Sequence, residues 1–133
     1  MQLNRTAKYA IQTLGLMAKN RTQKYSAREL SESLDIPYKY LTKIMTKLKN
    51  SDIVSSTKGK YGGFIILKEL KDIKIIDIVI VFDDINNKKC ILVDTVCNYE
   101  QKCIIHDKWD KPRCAIDDFF AQTTLLDLVE KED

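Results

Sequence analysis

Residues 26–48, with the sequence SARELSESLDIPYKYLTKIMTKL, decide the fold of this 133-residue chain. Ser26 and Glu29 form the Ser-x-x-Glu pattern of a capping box, which predicts that a helix starts at this serine. Two leucines then follow at the four-residue spacing of a buried helix face. The tripeptide 35–37, Asp-Ile-Pro, ends this helix and opens the next, because proline suits a first helical turn. The stretch therefore predicts two helices joined by a tight turn, a helix-turn-helix.

The second helix of this pair has an apolar face and a basic face. Its apolar residues fall on one side and are Leu41, Ile44, Met45 and Leu48. Lysines recur at every fourth position with hydroxyl side chains beside them, namely Lys39, Lys43 and Lys47 with Tyr38, Tyr40, Thr42 and Thr46. Lysines at this spacing suit the phosphates along a DNA major groove, and the hydroxyls suit phosphates or base edges. A solvated lysine stripe on an ordinary surface helix accounts for the pattern equally well.

A short hairpin follows the helix pair. Residues 53–57 and 64–67 are rich in β-forming side chains, and a basic, glycine-rich turn separates them. Lys58 and Lys60 in this turn are expected to project toward phosphates or a minor groove. The turn lacks the spacing and the terminal Gly-Lys-Ser/Thr of a P-loop, so nucleotide binding is rejected. Before the pair, residues 4–19 predict an amphipathic helix that packs.

Composition and charge narrow the class of protein. The first 70 residues hold 13 Lys+Arg against 5 Asp+Glu, whereas residues 71–133 hold 9 against 14, so the two parts carry +8 and −5. The basic part is the candidate nucleic-acid face. The apolar runs fall far short of the ~20 residues that span a bilayer, and the start of the chain lacks the features of a secretion signal. A cytoplasmic protein without membrane contact is therefore expected.

Three cysteines and the only histidine lie close together in the second half of the chain. They are Cys90, Cys97, Cys103 and His106, separated by six, five and two residues. Thiolates bind iron–sulfur clusters and zinc, and an imidazole can replace a thiolate at one iron. The spacing lacks the paired Cys-x-x-Cys knuckles usual in structural zinc sites, which makes zinc the weaker interpretation. Cysteines that pack without a metal are a further alternative.

Helices are expected on both sides of this cysteine segment. Residues 70–82 predict one helix that joins the hairpin to the core. A second helix is expected to begin near Asp110 or Lys111, with an apolar side formed by Ile116, Phe119 and Phe120. Its expected partner is the same helix of a second subunit, since operator-reading helix-turn-helix proteins commonly dimerise. Thr123 or Thr124 is expected to cap a last short helix.

Over essentially its whole length, the chain resembles the IscR/NsrR family of bacterial winged-helix regulators, which includes iron–sulfur cluster sensors. The residues that carry the resemblance follow the family's order along the chain: Leu3, Tyr9-Ala10, 26–30, Ile36, Tyr40-Leu41, Gly59, Gly62-Gly63 and 124–128. The implied fold is mainly α with a small β-hairpin wing, a winged helix-turn-helix plus a C-terminal dimerisation helix. Residues 1–82 would form the winged helix-turn-helix, and residues 83–133 the cluster-binding loop and the dimerisation helix, within one compact domain.

The resemblance also implies a cofactor and its ligands. In IscR-like members, three cysteines in one loop and a histidine three residues after the last of them bind the cluster. The matching residues here are Cys90, Cys97, Cys103 and His106, which implies an iron–sulfur cluster, with [2Fe-2S] favoured over [4Fe-4S]. The nitric-oxide-sensing branch instead resembles a [4Fe-4S] binder with an N-terminal aspartate, and Lys8 stands at that position. Six residues, rather than the family's five, separate the first two cysteines.

The expected function is that of a regulator and not an enzyme, because the single histidine leaves no convincing pair of nucleophile and base. A homodimer is expected to bind a double-stranded DNA operator, with its affinity controlled by a cluster that senses iron or cluster status, redox state or nitric oxide. The residues expected to contact DNA are Ser26, Arg28, Tyr38, Lys39, Tyr40, Thr42, Lys43, Lys47, Lys58 and Lys60. Thr42 stands where IscR has a glutamate, so the operator sequence is not predicted.

Two other functions would share the cysteines. A metal-free thiol sensor of the same fold would use them in reversible disulfides. A small iron–sulfur electron carrier would need the cysteines but has no use for a helix-turn-helix, so salt-dependent DNA binding separates it from a regulator. The fourth cysteine, Cys114, is interpreted as interface packing in the dimerisation helix rather than as a ligand.

Overall fold

The computed structural model describes residues 4–60, 62–82, 104 and 106–129. In chain order its helices and strands are α1 (Arg5–Lys19), α2 (Ala27–Leu34), α3 (Tyr38–Asn50), β1 (Val54–Thr57), β2 (Gly63–Ile66), α4 (Ile75–Phe82), α5 (His106–Gln122) and α6 (Leu125–Val129), with a 3-10 turn at Leu70–Asp72. The fold is mainly helical with one antiparallel hairpin, which confirms the predicted class. None of the helices in the described part of the chain has both the length and the apolar character that crossing a bilayer requires.

One hydrophobic core joins the first three helices to the hairpin. Helix α1 contributes Ala10, Leu14 and Met17, which confirms the predicted amphipathic helix. Helix α3 contributes the four residues of its predicted apolar face, Leu41, Ile44, Met45 and Leu48, each at most 1% exposed. Full burial of a large aliphatic side chain stabilises the fold by about 1.5–3 kcal/mol. This packing therefore fixes which side of α3 faces solvent.

Local hydrogen bonds set the turn between α2 and α3. The Ser26 hydroxyl accepts a 3.0 Å hydrogen bond from the Glu29 amide, which confirms the predicted N-cap of α2. Asp35 follows α2 with a φ of 53°, a left-handed conformation that aspartate adopts more readily than most residues. The Ile36 amide then donates to the Ser31 carbonyl at 3.0 Å, and the Ser31 hydroxyl donates to the Ile36 carbonyl at 2.5 Å. The predicted tight turn is confirmed, since α3 starts two residues further on.

The hairpin is attached directly to the start of the helix pair. Strands β1 and β2 pair in antiparallel register, with Thr57 opposite Gly63. Phe64 also exchanges two backbone hydrogen bonds with Tyr25, the residue before the N-cap of α2, at 3.1 and 2.7 Å. Gly63 suits this close approach, because a Cβ atom there would lie 2.9 Å from the Tyr25 carbonyl oxygen. Two backbone hydrogen bonds therefore join the hairpin to the residue that precedes α2.

The predicted continuous helix over residues 70–82 is wrong in its first part. The first three residues form a 3-10 turn, and α4 starts only at Ile75. The chain between them is extended because it pairs with the residues that follow α5. The Leu125 amide donates to the Ile73 carbonyl at 2.9 Å, and the Ile75 amide donates to the Thr123 carbonyl at the same distance. A contact distant in sequence has overridden the local helical pattern.

Helix α5 begins at His106, four residues before Asp110. The predicted start at Asp110 or Lys111 is therefore wrong, and Pro112 lies inside the helix rather than in its first turn. Proline has no amide hydrogen, so Pro112 removes one hydrogen bond from the interior of the helix, and α5 nevertheless continues past it. Phe120 near the other end of α5 is buried against α4, as its predicted apolar character requires.

Helix α6 closes the same core from the C-terminal side. The Thr124 hydroxyl accepts from the Asp127 amide at 3.2 Å, and the Thr124 amide donates to the Asp127 carboxylate at 2.9 Å. This reciprocal cap confirms the predicted short helix and selects Thr124 as its capping residue. Leu125, in the first turn, is fully buried in the core that also contains Leu14 of α1.

Candidate nucleic-acid interface

Helix α3 turns its basic side away from the core. At about 100° per residue, Lys39 and Lys43 lie opposite the four buried apolar residues of this helix. Both lysines and Thr46 are exposed. Positive charge and exposure therefore coincide at Lys39 and Lys43 on one face of α3, the candidate DNA-facing side, as the spacing of these two lysines predicted.

The N-terminal ends of α2 and α3 meet through Arg28 and Tyr38. The Arg28 guanidinium lies 5.6 Å from the centre of the Tyr38 ring, within the range of a cation–π contact. Tyr38 nevertheless keeps 49% of its surface exposed and remains accessible to a ligand. Ser26 lies at the same end of α2, where its hydroxyl serves as the N-cap. The structure thus brings three of the predicted DNA contacts together at one end of the helix pair.

The threonine hydroxyls of α3 bond back to the helix. Thr42 donates to the Lys39 carbonyl and Thr46 donates to the Thr42 carbonyl, each at 2.8 Å. A hydroxyl that donates its proton keeps two acceptor lone pairs. In this geometry the two threonines are acceptors, which suits the amino groups of adenine or cytosine rather than phosphate oxygens.

Tyr40 lies on the flank of α3 that faces α1. Its hydroxyl is in hydrogen-bond contact with the hydroxyl of Thr6. Its ring packs edge-on against Tyr9, with 5.5 Å between the ring centroids and 87° between the ring planes. The structure therefore places Tyr40 apart from the DNA-facing side of α3, as a packing residue between two helices.

Lys47 occupies the same flank, further along α3. It is exposed, and its Nζ atom lies 5.8 Å from the centroid of the Phe82 ring at the end of α4. Asn50 was missing from the predicted set although it is exposed on the DNA-facing side. Its spacing of eleven residues from Lys39 equals about three helical turns, and this signal could have found it. The contact of Lys47 with Phe82 had no sequence signal.

The predicted cationic tip of the hairpin is present in the loop between β1 and β2. Lys58 and Lys60 are both exposed there. Gly59 between them has a φ of 108°, a conformation that side-chain-bearing residues rarely adopt. The Gly62 amide closes the loop with a 3.0 Å hydrogen bond to the Gly59 carbonyl. The two exposed lysines therefore flank a glycine whose backbone conformation few other residues would accept.

Most of the predicted cluster ligands lie outside the described residues, namely Cys90, Cys97 and Cys103. The fourth, His106, is described by its place as the first residue of α5. Within 4–60, 62–82, 104 and 106–129, no group of three or more His, Cys, Asp or Glu side chains could hold a metal ion. Cys114 in α5 is exposed and carries a free thiol.

Known proteins share this fold over nearly the whole chain. CymR (YrzC), the global cysteine regulator of B. subtilis, superposes with a TM-score of 0.81 at 21% identity, covering 100% of this chain and 99% of that one. The IscR of T. potens superposes with a TM-score of 0.73 at 21% identity, covering 97% and 86%. These likenesses establish the winged helix-turn-helix fold with its C-terminal helices.

Sequence comparison extends the likeness from fold to family. A protein of Aquifex aeolicus (strain VF5), named as an HTH-type transcriptional regulator, is 35% identical over 131 residues, which cover 96% of this chain and 91% of that protein. The model of the Rrf2 family, described as an iron-dependent transcriptional regulator, matches residues 3–131. With this match and a basic helix-turn-helix face, the chain belongs to the Rrf2 family of transcriptional regulators.

Proposed function

We propose that this regulator binds its DNA operator with an affinity set by an iron–sulfur cluster, whose ligands are Cys90, Cys97, Cys103 and His106. The proposal rests on two features of this chain: a helix with an exposed basic face, and four soft or borderline metal ligands within 17 residues. The description of the matched family as iron-dependent supports it. The signal is iron or cluster status, redox state or nitric oxide.

The chemistry of this donor set fits an iron–sulfur cluster. Thiolates are the usual ligands of such clusters, and an imidazole completes the set in the mixed type. The single histidine favours [2Fe-2S] over [4Fe-4S]. When bound, the cluster supplies a redox couple whose potential depends on the ligands and on hydrogen bonds to its sulfurs. Because His106 is the first residue of α5, a ligand there is attached to a helix that packs on α4.

In this proposal a cytoplasmic homodimer acts on double-stranded DNA without membrane contact. Two α3 helices would enter successive major grooves about 34 Å apart, and the loops with Lys58 and Lys60 would reach flanking minor grooves. Helix α5 keeps Phe119 51% exposed beside the buried Phe120. An exposed aromatic ring on this helix supports the proposal that α5 meets the same helix of a second subunit.

We expect Lys39→Gln to weaken DNA binding for all sequences alike. Lys39 lies at the centre of the DNA-facing side of α3, where its ammonium can neutralise one phosphate. The slope of log K against log salt concentration should therefore fall by about one. The measurement is fluorescence anisotropy at several salt concentrations, with a duplex that the wild-type protein selects from a random-sequence library.

Lys71→Gln is the matched control for this charge removal. Lys71 is an exposed lysine of the 3-10 turn before α4, so its loss removes the same charge outside the helix-turn-helix. Its salt slope should equal that of the wild type. An unchanged slope for Lys39→Gln, or an equal loss in both variants, would contradict the assignment of α3 as the DNA-reading helix.

The cluster is tested by purifying the protein under strict anaerobiosis. We expect red-brown protein with about two irons and two sulfides per chain, as a [2Fe-2S] cluster requires. About four irons per chain would still indicate an iron–sulfur cluster, but one of the [4Fe-4S] type instead of [2Fe-2S]. Colourless protein without iron would contradict the cluster and leave the DNA-binding assignment in place, because the two rest on different residues.

A thiol-based regulator of the same fold is the second candidate. It is favoured by the superposition on a global cysteine regulator and by the exposed thiol of Cys114. In this case the anaerobic protein would contain no iron, and its DNA affinity would change on oxidation and return on reduction of a disulfide. Iron content before any exposure to oxygen therefore separates the two candidates.

A further inference from the structure

The last residue of α4 touches the DNA-reading helix. Phe82 lies beneath the ammonium of Lys47, with 5.8 Å between Nζ and the ring centroid. The ring belongs to a small groove between α1, α3 and α4, which is also lined by Thr6, Tyr40, Lys43, Ile44 and Lys47. A cation–π contact restricts the direction of a lysine side chain without removing its charge. The ring therefore influences where Lys47 presents its ammonium.

The backbone of Phe82 is held as well. The Asn4 Nδ2 atom donates to the Phe82 carbonyl at 2.8 Å, while the Oδ1 atom of the same side chain accepts from the Ala7 amide at 2.7 Å. Asn4 is the N-cap of α1, so a single side chain joins the beginning of α1 to the end of α4.

We infer that Phe82 is a positioning residue for Lys47, and that it raises DNA affinity through this contact. A lysine whose direction is already restricted loses less conformational entropy when it binds a phosphate. Loss of the ring removes this restriction, and DNA affinity falls. The inference rests on the proposed function, because it takes α3 as the helix that binds DNA.

The first test compares Phe82→Leu with Phe82→Tyr in the full-length protein, using the selected duplex. Leucine keeps an apolar side chain but has no aromatic face, whereas tyrosine keeps the face that attracts a cation. We expect Phe82→Leu to weaken DNA binding about two- to tenfold, the range that ordering one flexible side chain on binding costs, and Phe82→Tyr to bind like the wild type. A merely structural role for the side chain would not separate the two variants in this way.

A double-mutant cycle then identifies Lys47 as the partner. In the Lys47→Gln background, Phe82→Leu should have no further effect on affinity or on the salt slope, since the positioned charge is already absent. In the Lys39→Gln background, which leaves the contact intact, the effects should add. Asn4→Ser gives an independent variant, because serine retains the N-cap of α1 but lacks the amide donor to Phe82. It should reproduce part of the Phe82→Leu defect.

If Phe82→Leu and Phe82→Tyr weaken DNA binding alike, or if the cycle between Phe82 and Lys47 is additive, the inference is overturned while the proposed function stands. If Lys39→Gln leaves DNA binding unchanged, the proposed DNA-binding role of α3 fails, and the inference fails with it.

Discussion

Replacing Cys97 with serine is expected to remove the visible absorption and the bound iron of the anaerobically purified protein. Cys97 is the central cysteine of the proposed ligand set, and a serine hydroxyl is a poor substitute for a soft thiolate at iron. Iron should fall from about two per chain to near zero. The response of DNA affinity to iron removal should be lost as well. Absorption spectra, iron analysis and anisotropy with the selected duplex check the three effects.

Cys114→Ser is the matched control, because Cys114 is an exposed free thiol on α5 and lies outside the proposed ligand set. This variant should keep its colour and its iron. A coloured Cys97→Ser protein would contradict the ligand assignment. Loss of colour in the Cys114 variant alone would move Cys114 into the ligand set in place of one of the residues proposed.

Replacing Gly62 with alanine is expected to disrupt the hairpin loop and weaken DNA binding. A Cβ atom at this position would lie 2.2 Å from the Thr57 carbonyl oxygen and 2.9 Å from the carbonyl carbon of Lys58. Both neighbours are backbone atoms, so the loop has to change shape to accept a methyl group. Lys58 and Lys60 would then be displaced. The slope of log K against log salt concentration should fall by about two, one unit for each lysine. The free energy of unfolding should fall by about 1–3 kcal/mol.

Gly15→Ala separates this local clash from a general effect of replacing glycine. A Cβ atom at Gly15, inside α1, would meet no atom within 4 Å. Since alanine favours a helix over glycine, this variant should gain about 0.5–1 kcal/mol in unfolding free energy and keep its salt slope. Urea denaturation and anisotropy measure both quantities. A Gly62→Ala protein that loses stability but keeps the wild-type salt slope would show that the loop does not contact DNA as proposed.

The helix-turn-helix could be predicted because its signals are local. Ser26 caps α2 through an amide three residues away, and the turn after α2 closes within six residues. The apolar residues of α3 repeat with the helical period, and each is buried as this period requires. Short-range chemistry of this kind is readable in a single sequence, as are the hairpin and its basic loop.

One wrong prediction, and one residue that the structure places elsewhere than expected, lie where distant contacts decide the structure. The pattern of residues 70–82 is helical, but backbone pairing of Ile73 with Leu125 keeps part of it extended. Tyr40 carries a hydroxyl that suits DNA, yet Thr6 of another helix already occupies it. On a helical wheel of α3, Tyr40 lies beside the buried Ile44, and this position favours packing of its ring. Neither partner could be identified from the local sequence.

The two halves of the proposed site differ in how far sequence could define them. Exposure and orientation of Lys39 and Lys43 followed from the period of α3 alone. The cluster ligands follow from residue type and from resemblance, and three of them, Cys90, Cys97 and Cys103, lie outside the described residues. The contact between Lys47 and Phe82 depends on how α3 and α4 pack, which no local pattern encodes.

The burial of Leu125 in the core of the DNA-binding helices has a consequence for how the chain can vary. Because α6 completes the core that α1 begins, the described segments on both sides of residues 83–103 contribute to the same core. The entropic cost of closing a chain connection between two points of one core grows only with the logarithm of its length, about 0.6 kcal/mol for each doubling. Insertions between these segments, such as the extra residue between Cys90 and Cys97, should therefore change the free energy of unfolding very little. The proposed ligand segment can therefore vary during evolution without a change in the core that positions α3.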